Sequence, residues 1–192
     1  MSSAILSDLQ LTSQARLIRL LVLDVDGVLS DGQLYFGNQG EEIKAFNSLD
    51  GHGIKMLQST GVKVAIVTGR TSNIVAHRAQ QLGIHLLLQG REDKLTALHQ
   101  LTQHLQLDWS QMAYMGDDLP DLAAIIKVGL GITVPNAANT MALHCQYVTQ
   151  RQGGQGAVRE VCDLIMQAQE TWDTALAPYL NTQISTQVAE LS

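Results

Sequence analysis

What most constrains this chain is the form of its apolar segments. Six are short and dense in apolar residues: Ile18–Leu23, Val62–Val67, Ile84–Leu88, Met112–Met115, Gly129–Thr133 and Tyr147–Thr149. A strand with one wet face alternates apolar and polar residues, whereas a strand buried on both faces does not. Apolar-dense runs of this length therefore predict a parallel sheet covered on each side. The intervening segments supply the helices. Ile54 and Leu57 share a face behind Asp50, the expected N-cap, and Gly61 stands where that helix should stop. Thr71 or Ser72 opens the next, striped by Val75, Ala79 and Leu82 and closed by Gly83. Leu95, Leu98, Leu101 and Leu105 recur at helical spacing in a third. Pro120 fits the first turn of a short helix carrying Leu122, Ile125 and Ile126. Strand–helix alternation predicts an α/β fold with a doubly wound, Rossmann-like, mostly parallel sheet.

Two segments depart from the alternation. Over about 33–47, Leu34-Tyr35-Phe36, Gly37-Asn38-Gln39-Gly40 and Ile43 to Phe46 form a β-hairpin signature where a helix was due. From Thr171 the chain turns polar, with Pro178 and a Thr/Gln/Ser-rich end, which predicts a short helix and a mobile tail. The expected organisation is one domain over 1–170 and an appendage over 171–192. Near the start, Leu9, Leu11 and Leu17 are expected on one side of a short helix.

Composition narrows the function classes. Hydrophobic residues make up 45% of 192, enough for a core. There are 12 Lys+Arg against 18 Asp+Glu and no basic block, which argues against a nucleic-acid partner. Cys145 and Cys162 make neither a disulfide framework nor a zinc site, and read as buried small hydrophobes in a reducing compartment. No apolar stretch reaches the roughly 20 residues of a membrane span, and Met1–Arg16 holds no signal-like core. A cytoplasmic protein without membrane insertion is expected.

The polar residues with chemical potential all follow strands. Asp24-Val25-Asp26-Gly27-Val28 comes after the first, Thr68-Gly69-Arg70 after the second, and Gly116-Asp117-Asp118 with Asp121 after a later one. Lys94 opens the helix beyond Ile84–Leu88. Open α/β sheets bind ligands beyond the carboxyl ends of their strands. The two-residue period turns Val25 away and lets Asp24 and Asp26 face one site. Gathering Asp24, Asp26 and Asp117 requires protons or a cation to relieve their repulsion. Oxygen donors without His or Cys suit a hard ion, and Mg²⁺ is the usual one beside a phosphate. Asp118 and Asp121 read equally well as turn or capping residues.

These motifs resemble the haloacid-dehalogenase superfamily of aspartyl-phosphate phosphotransferases. D-x-D-G-V is matched by Asp24 to Val28, the strand-closing Thr by Thr68, the Lys by Lys94 and G-D-D-x-x-D by Gly116 to Asp121. They come in the family's order: 44 residues separate Asp24 from Thr68, 26 more reach Lys94, and 23 more reach Asp117. The resemblance implies a Mg²⁺-dependent phosphatase. Asp24 would be the nucleophile and Asp26 the acid and base, with the Asp26 main-chain carbonyl on the metal. Thr68 and Lys94 would hold phosphate oxygens. Asp117 would join Asp24 on the metal, with Asp118 and Asp121 in or near the next layer. The gaps leave no room for a cap domain, so an open, capless site is implied.

Lys44-Ala45-Phe46, Asp50-Gly51-His52-Gly53-Ile54, Gln89-Gly90 and Gly153-Gly154-Gln155-Gly156 extend the match to one capless subfamily. Its members hydrolyse 3-deoxy-D-manno-octulosonate 8-phosphate for lipopolysaccharide and assemble as homotetramers through their hairpins. By this resemblance the substrate is a sugar-acid phosphate. Its carboxylate needs a guanidinium, from Arg70 or from Arg78. Lys44 and Phe46 on the hairpin, and Gly69, are the other expected substrate-binding residues. Two alternatives stay open: a phosphatase for a nine-carbon sugar-acid phosphate, and a non-catalytic assembly module on the same fold.

Overall fold

The structure, a computed structural model, describes residues 6–38 and 42–180. The chain runs α1 (Asp8–Leu17), β1 (Leu20–Leu23), β2 (Tyr35–Phe36), β3 (Glu42–Ile43), α2 (Ser48–Ser59), β4 (Lys63–Val67), α3 (Asn73–Gln81), β5 (Leu86–Leu88), α4 (Lys94–Leu105), β6 (Met112–Met115), α5 (Leu122–Lys127), β7 (Leu130–Thr133), β8 (Tyr147–Val148), α6 (Ala157–Ala168) and α7 (Trp172–Leu180). Six strands form one sheet in the order β5-β4-β1-β6-β7-β8, and every pairing in it is parallel. Each predicted strand is present within about two residues.

Burial on both faces explains the apolar-dense runs. Leu21, Leu23, Val64, Ile66, Ala113 and Met115 face a core closed by α1, α2, α3, α6 and α7. Leu20, Val22, Ala65, Val67, Met112 and Tyr114 face a second core closed by α4 and α5. β1 lies between β4 and β6, with the order reversing beside it, so the crevice above its carboxyl end is the switch point of the fold. Tyr35 pairs with Ile43 in a separate two-stranded ribbon, the expected hairpin; Gln39 and Gly40 of its turn lie outside the described residues. No helix among the described residues is long and apolar enough to cross a membrane. Cys145 and Cys162 are buried and unlinked, as expected.

The structure corrects several local expectations. Leu9 and Leu17 are exposed, and α1 packs through Leu11 and Ala15 instead, since Leu9 and Leu11 are two residues apart and cannot share a helix face. Pro120 sits in a 3-10 turn over Leu119–Asp121 that leads into α5, and Ile126 is exposed. The α6 segment, unassigned from sequence, buries seven of its twelve residues, mainly against α2 and α1. The expected short C-terminal helix is α7, and the tail at 181–192 lies outside the described residues.

The most informative correction concerns Asp50. The cap of α2 is Asn47, whose side chain accepts the Leu49 N–H at 2.8 Å. Asp50 is buried in the first turn, and its carboxylate accepts the N–H groups of Gly156 (3.3 Å) and Arg159 (2.8 Å) at the start of α6. One helix thus supplies the cap of another. Burial pushes this carboxyl above its ordinary range, against the pull of those donors. Removing it orphans buried N–H groups, so Asp50→Ala should cost about 2–3 kcal/mol in urea unfolding. Asn47→Ala, losing a half-buried cap, should cost only about 1 kcal/mol. Equal losses would show that the carboxylate does not tie the two helices together.

Candidate active site

Register places the chemistry. Leu23 lies beside Ile66 and Met115, so the residues that follow β1, β4 and β6 emerge at one level. The Asp24 N–H donates to the Met115 carbonyl at 3.0 Å, extending that ladder by one residue. The pleat then sends Asp24 toward the α4 face and Val25 into the opposite core. On that face the first residue of α4 is Lys94, whose side chain is almost wholly buried. Its Nζ lies 2.6 Å from Asp24 Oδ1, 2.9 Å from the Val67 carbonyl and 3.3 Å from Asp121 Oδ1.

Asp24, Asp117 and Asp121 each present an oxygen within 4.8 Å of the others, a grouping able to hold a hard divalent cation. Asp121 is fixed from every side. Its Oδ1 accepts the Tyr114 hydroxyl at 2.6 Å, and its Oδ2 accepts the N–H groups of Asp117 (3.1 Å) and Asp118 (3.3 Å). Asp118 is exposed and caps the 3-10 turn, accepting the Leu119 N–H at 2.8 Å. The Asp26 carboxylate turns away from this trio, to Lys44 and, at 3.9 Å, to Arg70 Nε.

A cavity of about 480 Å³ covers the cluster. Asp24, Asp26, Thr68, Gly69, Arg70, Lys94, Asp117, Asp118 and Asp121 all line it, so the structure unites most of the candidates. Arg78 and Phe46 lie elsewhere. The Arg78 guanidinium stacks over the Phe46 ring at 5.6 Å, donates to the Asn47 carbonyl and lines a separate hollow beside α2. Lys44 does not line the cavity but reaches Asp26 from behind it.

Some contributors escaped the sequence reading. Tyr114, fully buried beneath the site, anchors Asp121; the lone polar group in an apolar strand was its only signal. Gly27 and Gly153 matter through what they lack. A Cβ on Gly27 would fall 1.9 Å from Asp117 Oδ2, and one on Gly153 would fall 1.7 Å from the Gly27 carbonyl oxygen. The loop before α6 is thus pressed, backbone to backbone, against the loop after β1. Its Gly154 N–H donates to the Val28 carbonyl at 2.9 Å.

Crowded acids raise one another. Burial first, then the charge of Asp121, pushes the Asp24 carboxyl up to about 6, with Lys94 opposing. Burial, then Asp24, Asp121 and Asp118, pushes Asp117 up to about 7. Each holds its proton to higher pH folded than unfolded. Folding of metal-free protein therefore takes up protons from about pH 4 to 7, and the stability these groups contribute falls as pH rises through that window. In EDTA, the urea midpoint of wild type should drop more steeply between about pH 5 and 7.5 than that of Asp117→Asn. Parallel curves would mean that Asp117 titrates as an ordinary carboxyl.

Known proteins resemble this chain. The profile of the haloacid dehalogenase-like hydrolases matches residues 87–161. The 3-deoxy-D-manno-octulosonate 8-phosphate phosphatase KdsC of Yersinia pestis is 51% identical over 158 residues, 82% of this chain and 84% of that protein. KdsC of Escherichia coli K12 is 48% identical over 163 residues, 85% of this chain and 87% of that protein. The crystal structure of the phosphatase of that name from Moraxella catarrhalis, in complex with magnesium ion, phosphate ion and a KDO molecule, superposes with a TM-score of 0.88. It is 46% identical and covers 90% of this chain and 99% of that one. With about half the residues shared over most of both lengths, and the acids that follow β1 and β6 gathered around Lys94 at the start of α4, the chain belongs to the haloacid dehalogenase-like hydrolases, among the KdsC phosphatases.

Proposed function

We propose that this chain is a Mg²⁺-dependent phosphatase that hydrolyses 3-deoxy-D-manno-octulosonate 8-phosphate to the free sugar acid and phosphate. One observation carries the reading: a buried lysine pins Asp24 beside Asp117 and Asp121 at the floor of an open cavity that Asp26 also lines. The three carboxylates fit a magnesium ion, being hard oxygen donors of which burial and crowding already raise two. Asp24 and Asp117 would hold it, with the Asp26 main-chain carbonyl, while Asp121 and Asp118 fix the turn that carries Asp117. A bound Mg²⁺ supplies the positive charge that lets a phosphate dianion approach this acidic floor.

The chain's own residues then divide the work. An Asp24 carboxylate oxygen attacks phosphorus, the ester P–O bond breaks, and Asp26 gives its proton to the departing sugar oxygen. Asp26 next takes a proton from water as that water attacks the aspartyl phosphate, which releases inorganic phosphate and restores Asp24. Lys94 and Thr68 hold phosphate oxygens throughout. Lys94 is preset for this by its bonds to Asp24 and the Val67 carbonyl. Thr68 is held by its N–H on the Leu88 carbonyl. Arg70 is the proposed partner of the substrate carboxylate, in preference to Arg78, because it lines the cavity beside Gly69.

The same reading takes residues 1–170 as the catalytic domain, with 171–192 appended, in a cytoplasmic homotetramer serving lipopolysaccharide synthesis. Tyr35, Phe36 and Ile43 stand exposed on the hairpin, which supports subunit contact there. The test is phosphate release from 3-deoxy-D-manno-octulosonate 8-phosphate with Mg²⁺ and with EDTA. Release should need Mg²⁺ and fall about a thousandfold or more in Asp24→Asn. Faster release from a nine-carbon sugar-acid phosphate would reassign the substrate, and none from any ester would leave an assembly module.

A further inference from the structure

Lys44 is the one cation that the hairpin brings to the reacting groups and that the mechanism above leaves unused. It follows β3 directly. Its neighbour Ile43 is exposed, and the pleat turns the Lys44 side chain inward, where only 1% of it remains accessible. A lysine is seldom buried to that degree without an anion. Here the anion is Asp26, whose Oδ1 receives the Lys44 ammonium. The other oxygen, Oδ2, lies toward Arg70, a residue of the cavity wall. Arg70 in turn sits over the Phe36 ring of the same hairpin at 5.9 Å.

We propose that Lys44 is a positioning residue for Asp26: it fixes Oδ1, so that Oδ2 is the oxygen that delivers and later collects the proton. This rests on the phosphatase reading. In the first step the Oδ2 proton passes to the ester oxygen as the P–O bond breaks; in the second, a proton returns to Oδ2 from the attacking water. Asp26 sits on a loop, and its side chain has two torsions to fix. A carboxyl held at one oxygen stays aligned with the leaving group, and misplacement by about 1 Å at such a group can cost about a hundredfold. The hairpin is thereby joined to the chemistry itself.

The role has a signature that folding defects and substrate binding lack. A proton donor matters when the leaving group is an alkoxide and hardly at all when it is p-nitrophenolate. Three esters are compared with wild type, Lys44→Met and Lys44→Arg at saturating Mg²⁺: the sugar-acid phosphate, a sugar phosphate without the carboxylate, and p-nitrophenyl phosphate. For Lys44→Met, kcat/KM should fall about thirtyfold or more for both sugar esters and less than about threefold for the aryl ester. Lys44→Arg, which keeps the cation, should recover most of the loss. Lys44→Gln carries the comparison if the Met variant does not fold. An equal fall for all three esters would overturn the proposal. So would a fall confined to the sugar acid, which would make Lys44 a carboxylate ligand. Failure of the phosphatase reading would show separately, as a wild type inactive on every ester.

Discussion

Three carboxylates whose oxygens lie within 4.8 Å of one another repel, and one ammonium lies among them. Lys94 brings to the switch point the charge that favours an ionised Asp24 at the floor of the cavity. Desolvating an ammonium is expensive, on the order of several kcal/mol. The Val67 carbonyl and two aspartates offset that cost. The geometry follows from where Lys94 stands. It is the first residue of α4, and Asp93 caps that helix through the Thr96 N–H. The same arrangement suits a phosphoryl group, because a cation already aimed at a carboxylate oxygen has little to rearrange when a phosphate oxygen arrives beside it.

Around this centre the support is layered. Tyr114 and two backbone N–H groups hold Asp121, and Asp121 in turn holds the Asp117–Asp118 turn. On the other side, the Gln89 side chain accepts the Ser72 N–H at 2.7 Å and braces the loop that carries Thr68. Asp50 fastens α6 to α2, and the loop before α6 presses on the loop after β1. The acidic floor thus rests on contacts well outside the cavity.

Much of this was legible in the chain. Asp24, Thr68, Lys94 and Asp117 stand at element boundaries, and the boundaries follow from where apolar runs end. Those runs are dense in apolar residues because both sheet faces are covered. The illegible part depends on distance in sequence. Asp50 looks like a cap of its own helix, and only the docking of α6 about a hundred residues later shows which N–H groups it accepts. Lys44 and Phe46 are two residues apart on a hairpin and were expected to share a channel. In space the first points to Asp26 and the second lies under Arg78. Arg70 and Arg78 share one chemistry; Arg70 ranks first in sequence because it follows the Thr68 strand, and in space only Arg70 of the two lines the cavity.

The contact between Gly153 and Gly27 has an evolutionary meaning. There two loops meet main chain to main chain, with 1.7 Å where a side-chain carbon would need more than three. Point mutation cannot resculpt such a junction, because a side chain at Gly153 collides with the Gly27 carbonyl. Variation is tolerated far more readily on the hairpin, which carries exposed and replaceable side chains such as Tyr35, Phe36 and Ile43. The loop junction is held fixed by the fold, and the hairpin is a surface on which selection can act.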